Sequence, residues 1–323
     1  MNYAIIGTGW IAQSFKKAAD LVDDFNCLCV YSRTEKSGRE FCEKTGVKKV
    51  VTSLEELAHT KEVDAVYIAS PNVCHYQQSK FLLESGKHIL CEKPITVTEK
   101  EFDELNSLAK KKKLVYLQAL IQLHFSNTFL LEEAIKKIGN VTSAHLDFSQ
   151  YSSKYESYLA GENPNIFNPK MKTGCLMDLG VYNISLAIRL FGYPKQIISK
   201  SQFLQSGADS SGSAIFVYDD KLVTITASKI AQSRGVSQII GDKGAVTLSS
   251  VSKITDIMLY DMSGNATEIA GDSTKTEIMF PEALNFKNAI ENYEGNLEFL
   301  DYCAEISRLT LRAIETIKKQ NNF

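Results

Sequence analysis

The stretch NYAIIGTGWIAQSFKKAADLV, Asn2–Val22, decides how the first third of the chain reads. An apolar, β-rich run ends at Gly7, and beyond it Ile11, Phe15, Ala18, Ala19 and Val22 recur at helical spacing on one face. The pattern is therefore strand, glycine turn, helix. Gly7, Gly9 and Ala12 stand in the G-x-G-x-x-A arrangement. The first glycine allows a tight turn, the second lets backbone approach a pyrophosphate, and the alanine lets the helix pack closely on the sheet. Free N–H groups along Thr8, Gly9, Trp10 and Ile11 would attract the anion at the helix start. A glycine turn alone is weak; its place between strand and helix strengthens the dinucleotide reading.

Outward from this motif, short β-rich runs alternate with helical patterns to about residue 119: CLCVYS, DAVYIAS, HILCEK and LVYLQ are separated by amphipathic segments. That is the form of a doubly wound parallel sheet with crossover helices. Ser53 with Glu56, and Thr98 with Glu101, have the spacing of capping boxes at helix starts. We assign residues 1–119 to a dinucleotide-binding Rossmann domain. In NAD-binding members of this fold the second strand ends in a carboxylate that takes the ribose hydroxyls. Here it ends in Tyr31, Ser32, Arg33 and Thr34. A hydroxyl and a guanidinium suit a 2'-phosphate, so NADP(H) is preferred. Glu35 nearby keeps NAD(H) open.

Beyond residue 140 the helices drop out. VTSAHLDFSQYS, SAIFVYD, LVTITASKI, VSQIIG, AVTLSS and DIMLYDM read as strands of one large antiparallel sheet, with GDKG at Gly241–Gly244 as a turn. Two helices close the chain, the last with Phe299, Cys303, Ile306, Thr310, Ala313 and Ile317 in one packing stripe. Residues 120–323 are assigned to a substrate-binding and oligomerisation domain whose last helices can pack back on the first.

With 36 basic and 38 acidic residues the formal charge is -2, which offers no field for nucleic acid or an anionic membrane. The lysines Lys110–Lys113 fall at a helix C-terminus, where they complement the dipole. The seven cysteines form no CxxC pair and fit a reducing compartment. No basic, apolar leader and no charge-free run of about 20 residues is present, so a cytoplasmic protein without a membrane span is expected. The five histidines show neither HxH nor HExxH spacing, and no metal is expected.

The segment SPNVCHYQQSKFLLESGKHILCEKPI, Ser70–Ile95, taken with GTGWIA and with FNPKMKTGCLMDLGVY, Phe167–Tyr182, resembles the Gfo/Idh/MocA oxidoreductases over nearly the whole chain. The resemblance implies a Rossmann domain, a second α/β domain with an open, mostly antiparallel sheet, and pairing through that sheet into dimers or tetramers. It implies hydride exchange between a nicotinamide and a sugar, polyol or related small hydroxyl compound. In CEKP it puts Lys93, after Glu92, beside the nicotinamide and the substrate oxygen. In DLGVY it puts the acid/base group on Tyr182, where many relatives have histidine, and a substrate-positioning carboxylate on Asp178. The loop of Ser70, Pro71, Asn72 and His75 would pass the nicotinamide ribose, and Gln118 would meet the nicotinamide. Leu123 or His124, and Asn165 or Ile166, stand where relatives often carry arginines, so substrate identity does not carry over.

The chemistry needs these residue types. Negative charge grows on the carbonyl oxygen as hydride adds, and a proton donor beside a fixed cation lowers that barrier. An ammonium near a phenol favours phenolate. The other classes to weigh are a non-catalytic NAD(P) sensor of the same fold and an NAD-dependent dehydrogenase of an amino- or keto-sugar acid.

Overall fold

The computed structural model describes residues 1–323. Two compact units divide the chain: residues 1–124 with 274–308, and residues 125–273 with 309–323.

In the first unit six strands, β1 (Asn2–Ile6), β2 (Asn26–Tyr31), β3 (Lys49–Val51), β4 (Ala65–Ile68), β5 (His88–Glu92) and β6 (Tyr116–Ala119), form a sheet in the order β3-β2-β1-β4-β5-β6. Every pair is parallel. This is the doubly wound order with its switch point between β1 and β4, where ligands of such sheets bind beyond the carboxyl ends of the strands. The helix α1 (Trp10–Ala19) buries Ala12, Phe15, Ala18 and Ala19. Phe15 stacks on Tyr67 with ring centroids 3.7 Å apart, and Tyr3 stacks on Phe25 at 4.3 Å. The helix Lys275–Glu291 packs along α1 and sets Phe286 edge-on to Phe25. Thr98 and Glu101 make a full capping box. Ser53 caps only the Glu56 N–H, because its own hydroxyl donates to Glu55 and Glu56 pairs with Lys49.

The second unit holds an eight-stranded sheet. Its strands are β7 (Val141–Ser149), β8 (Gln196–Phe203), β9 (Asp209–Val217), β10 (Leu222–Ser228), β11 (Ser237–Gly241), β12 (Gly244–Leu248), β13 (Ile257–Asp261) and β14 (Ala266–Ala270). They lie in the order β14-β13-β12-β11-β7-β10-β9-β8. Neighbours are antiparallel except β7 and β10, which run parallel. One face, with Leu146, Phe216, Val223, Ile225 and Ile239, is buried. The helix Val181–Phe191 lies on it, its Asn183 amide donating to the Thr226 carbonyl at 2.8 Å. The other face carries Ile198, Ile215, Leu222 and Ile240, each at least 38% exposed.

The stretch Gly174–Gly192, which reads as one α-helix in the sequence, begins instead with a π-turn over Leu176–Gly180. Two features start it there. Gly174 has φ +119, and the buried Asp209 carboxylate accepts from the Leu176 N–H at 2.6 Å. All seven cysteines are free; burial pushes the Cys27 thiol up to about 12 and Cys29 to about 11.

Candidate active site residues in the two units

At the switch point of the first unit, Gly7 has φ +104, and a Cβ there would lie 2.5 Å from the Ala69 carbonyl oxygen. Only glycine lets β1 and β4 end so close together. At Gly9 a Cβ would meet nothing within 4 Å, and no side chain caps the α1 N-terminus. Open space before uncapped N–H groups is what a pyrophosphate requires. Thr8 and Ile11 are half-buried at this turn; Trp10 is exposed, with the Lys275 ammonium 5.8 Å from its ring centroid. At the tip of β2, Ser32 is buried, whereas Arg33 and Thr34 are exposed, and Thr34 caps the following helix by accepting from the Ser37 N–H.

The Ser70–His75 loop is fastened from within. Ser70 donates to Gln78 at 2.6 Å. His75 is fully buried, with Nδ1 2.9 Å from the Pro94 carbonyl oxygen and Nε2 2.8 Å from that of Ser70. Burial lowers its pKa more than these two acceptors raise it. His75 thus ties the loop to the turn after Lys93. Pro71 and Asn72 start the helix Asn72–Glu84, at the same end of the sheet.

Glu92, at the end of β5, accepts from the Tyr67 hydroxyl and from the Lys93 N–H. Burial raises its pKa. Lys93 is half-buried, and its peptide bond to Pro94 is cis. Gln118 is 3% exposed, and its amide nitrogen has no hydrogen-bond acceptor in the protein. A buried donor of this kind suits a ligand carbonyl such as a nicotinamide amide. The open turn at Gly9 and this amide fit a dinucleotide, which would lie across the loops named here.

In the second unit, Asp178 sits in the π-turn and Tyr182 one turn later, its ring edge-to-face with Phe148 at 5.7 Å. Asp178 Oδ2 accepts from the Lys229 ammonium at 2.5 Å. Lys229, 6% exposed just after β10, belongs to no motif, and sequence reasoning passed over it. Its only sequence signal is a charge ending an apolar strand. His124 and Leu123, where relatives often carry an arginine, are buried in the first unit, with His124 Nε2 3.0 Å from the Gln118 carbonyl oxygen.

Comparison with known proteins gives a consistent picture. A family model for an oxidoreductase family with an NAD-binding Rossmann fold matches residues 1–119, and a GFO/IDH/MocA C-terminal domain model matches residues 132–247. The chain is 35% identical to a scyllo-inositol 2-dehydrogenase (NADP(+)) of Bacillus subtilis, covering 99% of this chain and 97% of that one. It is 31% identical to an uncharacterized oxidoreductase of Escherichia coli, over 99% and 96%. Among solved structures it superposes on a 3-ketoreductase from Actinomadura kijaniata in complex with NADP and TDP-benzene, with TM-score 0.85, 18% identity and 99% and 98% coverage. It also superposes on a levoglucosan dehydrogenase in complex with NADH and levoglucosan, with TM-score 0.81, 17% identity and 99% and 98% coverage.

Proposed function

The chain belongs to the Gfo/Idh/MocA family of oxidoreductases, and on that premise we propose that it transfers hydride between NADP(H) and a hydroxyl of a sugar, polyol or cyclic diol. The observation that carries this reading is the end-to-end similarity to an NADP(+)-dependent inositol dehydrogenase. The exposed Arg33 and the hydroxyls of Ser32 and Thr34 hold the 2'-phosphate. The turn at Gly7, Thr8, Gly9, Trp10 and Ile11 takes the pyrophosphate, and Gln118 donates to the nicotinamide amide. When bound, the nicotinamide supplies or accepts the hydride.

The remaining work falls to the protein. Tyr182 moves the proton to or from the substrate oxygen, Lys93 stabilises the charge on that oxygen, and Asp178 accepts a hydrogen bond from a neighbouring hydroxyl. Glu92 and His75 hold the Lys93 turn in place rather than meeting the substrate. The apolar outer face of the eight-stranded sheet, through Ile198, Ile215, Leu222 and Ile240, supports pairing into a homodimer or homotetramer. Seven unpaired cysteines suit a cytoplasmic enzyme.

Titrating NADPH and NADH by fluorescence, then following nicotinamide absorbance with scyllo-inositol, D-xylose and trans-1,2-cyclohexanediol, tests the proposal. Turnover of at least one with tighter NADPH binding is expected. Tight cofactor binding with no turnover across the panel would replace the enzyme by a dinucleotide sensor.

A further inference from the structure

Lys229 is a charged residue that the chain goes to some length to bury. Its N–H donates to the Ser210 carbonyl and its own carbonyl accepts from the Ser152 N–H, both at 2.8 Å, so the main chain is held on either side. Its side chain is 7% exposed and that of Asp178 is 32% exposed. The pair is therefore asymmetric: the cation is sunk in the unit, and the carboxylate reaches the open side. Desolvating a lysine is costly, and a pair of this kind rarely repays the cost as plain stability. What it does provide is orientation. A carboxylate that accepts a charge-assisted bond from a fixed ammonium is held in one orientation, presenting its remaining lone pairs in one direction.

The turn that bears Asp178 is fixed by other means. The Asp209 carboxylate accepts from the Leu176 N–H, and Gly174 leaves room for that carboxylate, since a Cβ there would lie 1.9 Å from its Oδ1. Removing Lys229 thus leaves these contacts in place and takes away the ammonium from which Asp178 Oδ2 accepts.

We propose that Lys229 is a positioning residue, which locks Asp178 as the acceptor for a hydroxyl on the carbon next to the reacting one and makes the site select neutral vicinal diols. The inference rests on the reading above that Asp178 meets the substrate. The ammonium cancels the charge of the carboxylate, so an anionic sugar acid finds no cation left over for its own carboxylate from this pair. A vicinal hydroxyl, in contrast, finds an oriented acceptor, and a site built to bind a hydroxyl discriminates strongly against an analogue lacking it.

The test compares trans-1,2-cyclohexanediol with cyclohexanol in the wild type, Lys229→Met and Lys229→Arg. Lys229→Met should raise KM for the diol at least about tenfold more than KM for the mono-alcohol, with kcat changing less than KM, as expected for lost substrate binding. Lys229→Arg, which keeps the cation, should recover most of the difference. Equal losses on both alcohols, or no recovery in Lys229→Arg, would assign Lys229 a purely structural role and overturn the proposal. Calorimetric titration with scyllo-inositol, with and without NADP+, reads the same question without hydride chemistry. At least about tenfold weaker binding in Lys229→Met is expected, and unchanged binding overturns the proposal. Wild-type binding of scyllo-inositol without any nicotinamide absorbance change would instead sink the dehydrogenase reading while leaving the role of Lys229 supported by the binding comparison.

Discussion

The Tyr67 hydroxyl donates to Glu92 Oε1 at 2.5 Å, joining β4 to the last residue of β5 immediately before Lys93. Glu282, 1% exposed on the helix Lys275–Glu291, feels the charge of Glu92. Burial first, and Glu92 second, push its pKa from 4.5 to about 8, with Lys275 opposing. The two carboxyls thus disfavour full ionisation in one small buried region.

A stability profile follows from that cluster. A carboxyl whose pKa rises on folding holds its proton more tightly in the folded state. Its contribution is complete below pH 4.5 and is lost as pH climbs through about 8. Glu282→Gln cannot ionise, so it should lose less stability over this window. Its advantage over the wild type should grow by about 2 kcal/mol or more between pH 5 and pH 9, measured by chemical denaturation. Parallel wild-type and variant profiles would show that Glu282 titrates normally.

Lys93→Ala and Tyr182→Phe should each lower kcat at least about a hundredfold, the usual scale for acid/base groups. NADPH affinity, read by fluorescence titration, should stay within about threefold in Tyr182→Phe, because the phenol is assigned to the substrate oxygen. Near-normal kcat in both variants would remove them from the mechanism.

Arg33→Ala separates the two dinucleotides. It should raise KM for NADP+ by about tenfold or more and leave KM for NAD+ within about twofold, since only the former carries the 2'-phosphate. Equal changes for both cofactors would mean that the guanidinium serves the adenine or the shared phosphates.

Gly7→Ala should abolish measurable dinucleotide binding and cost about 2 kcal/mol or more of stability. The residue has φ +104, and the new methyl would press on the Ala69 carbonyl. Gly9→Ala, whose Cβ would enter open space, should fold normally and weaken only the cofactor. Calorimetric melting of the two variants, each with and without NADPH, distinguishes them.

Much of the fold is legible in the residues themselves because its signals are local. Strand, turn and helix around Gly7 follow from side-chain periodicity and glycine placement within about 20 residues. The strands that escaped a sequence reading, β3, β8 and β14, are all sheet edges. An edge strand is paired on one side only and carries polar residues that blur its alternation, as in Gln196–Phe203, where only Ile197 and Ser201 are buried. The phase of the Asp178 helix was hidden for a different reason. Its opening π-turn is set by Asp209, which arrives from β9.

The sequence by itself determined the class of fold, the dinucleotide motif and the family, because each is written in contiguous residues whose physics is short-ranged. Tertiary structure alone decided which charges meet. Lys229 reaches Asp178 from 51 residues away, and Glu282 joins Glu92 from a helix near the other end of the chain. Such pairs form only when strand order and helix packing bring distant segments together, and no spacing along the chain encodes the ångström-scale distances on which their electrostatics depend.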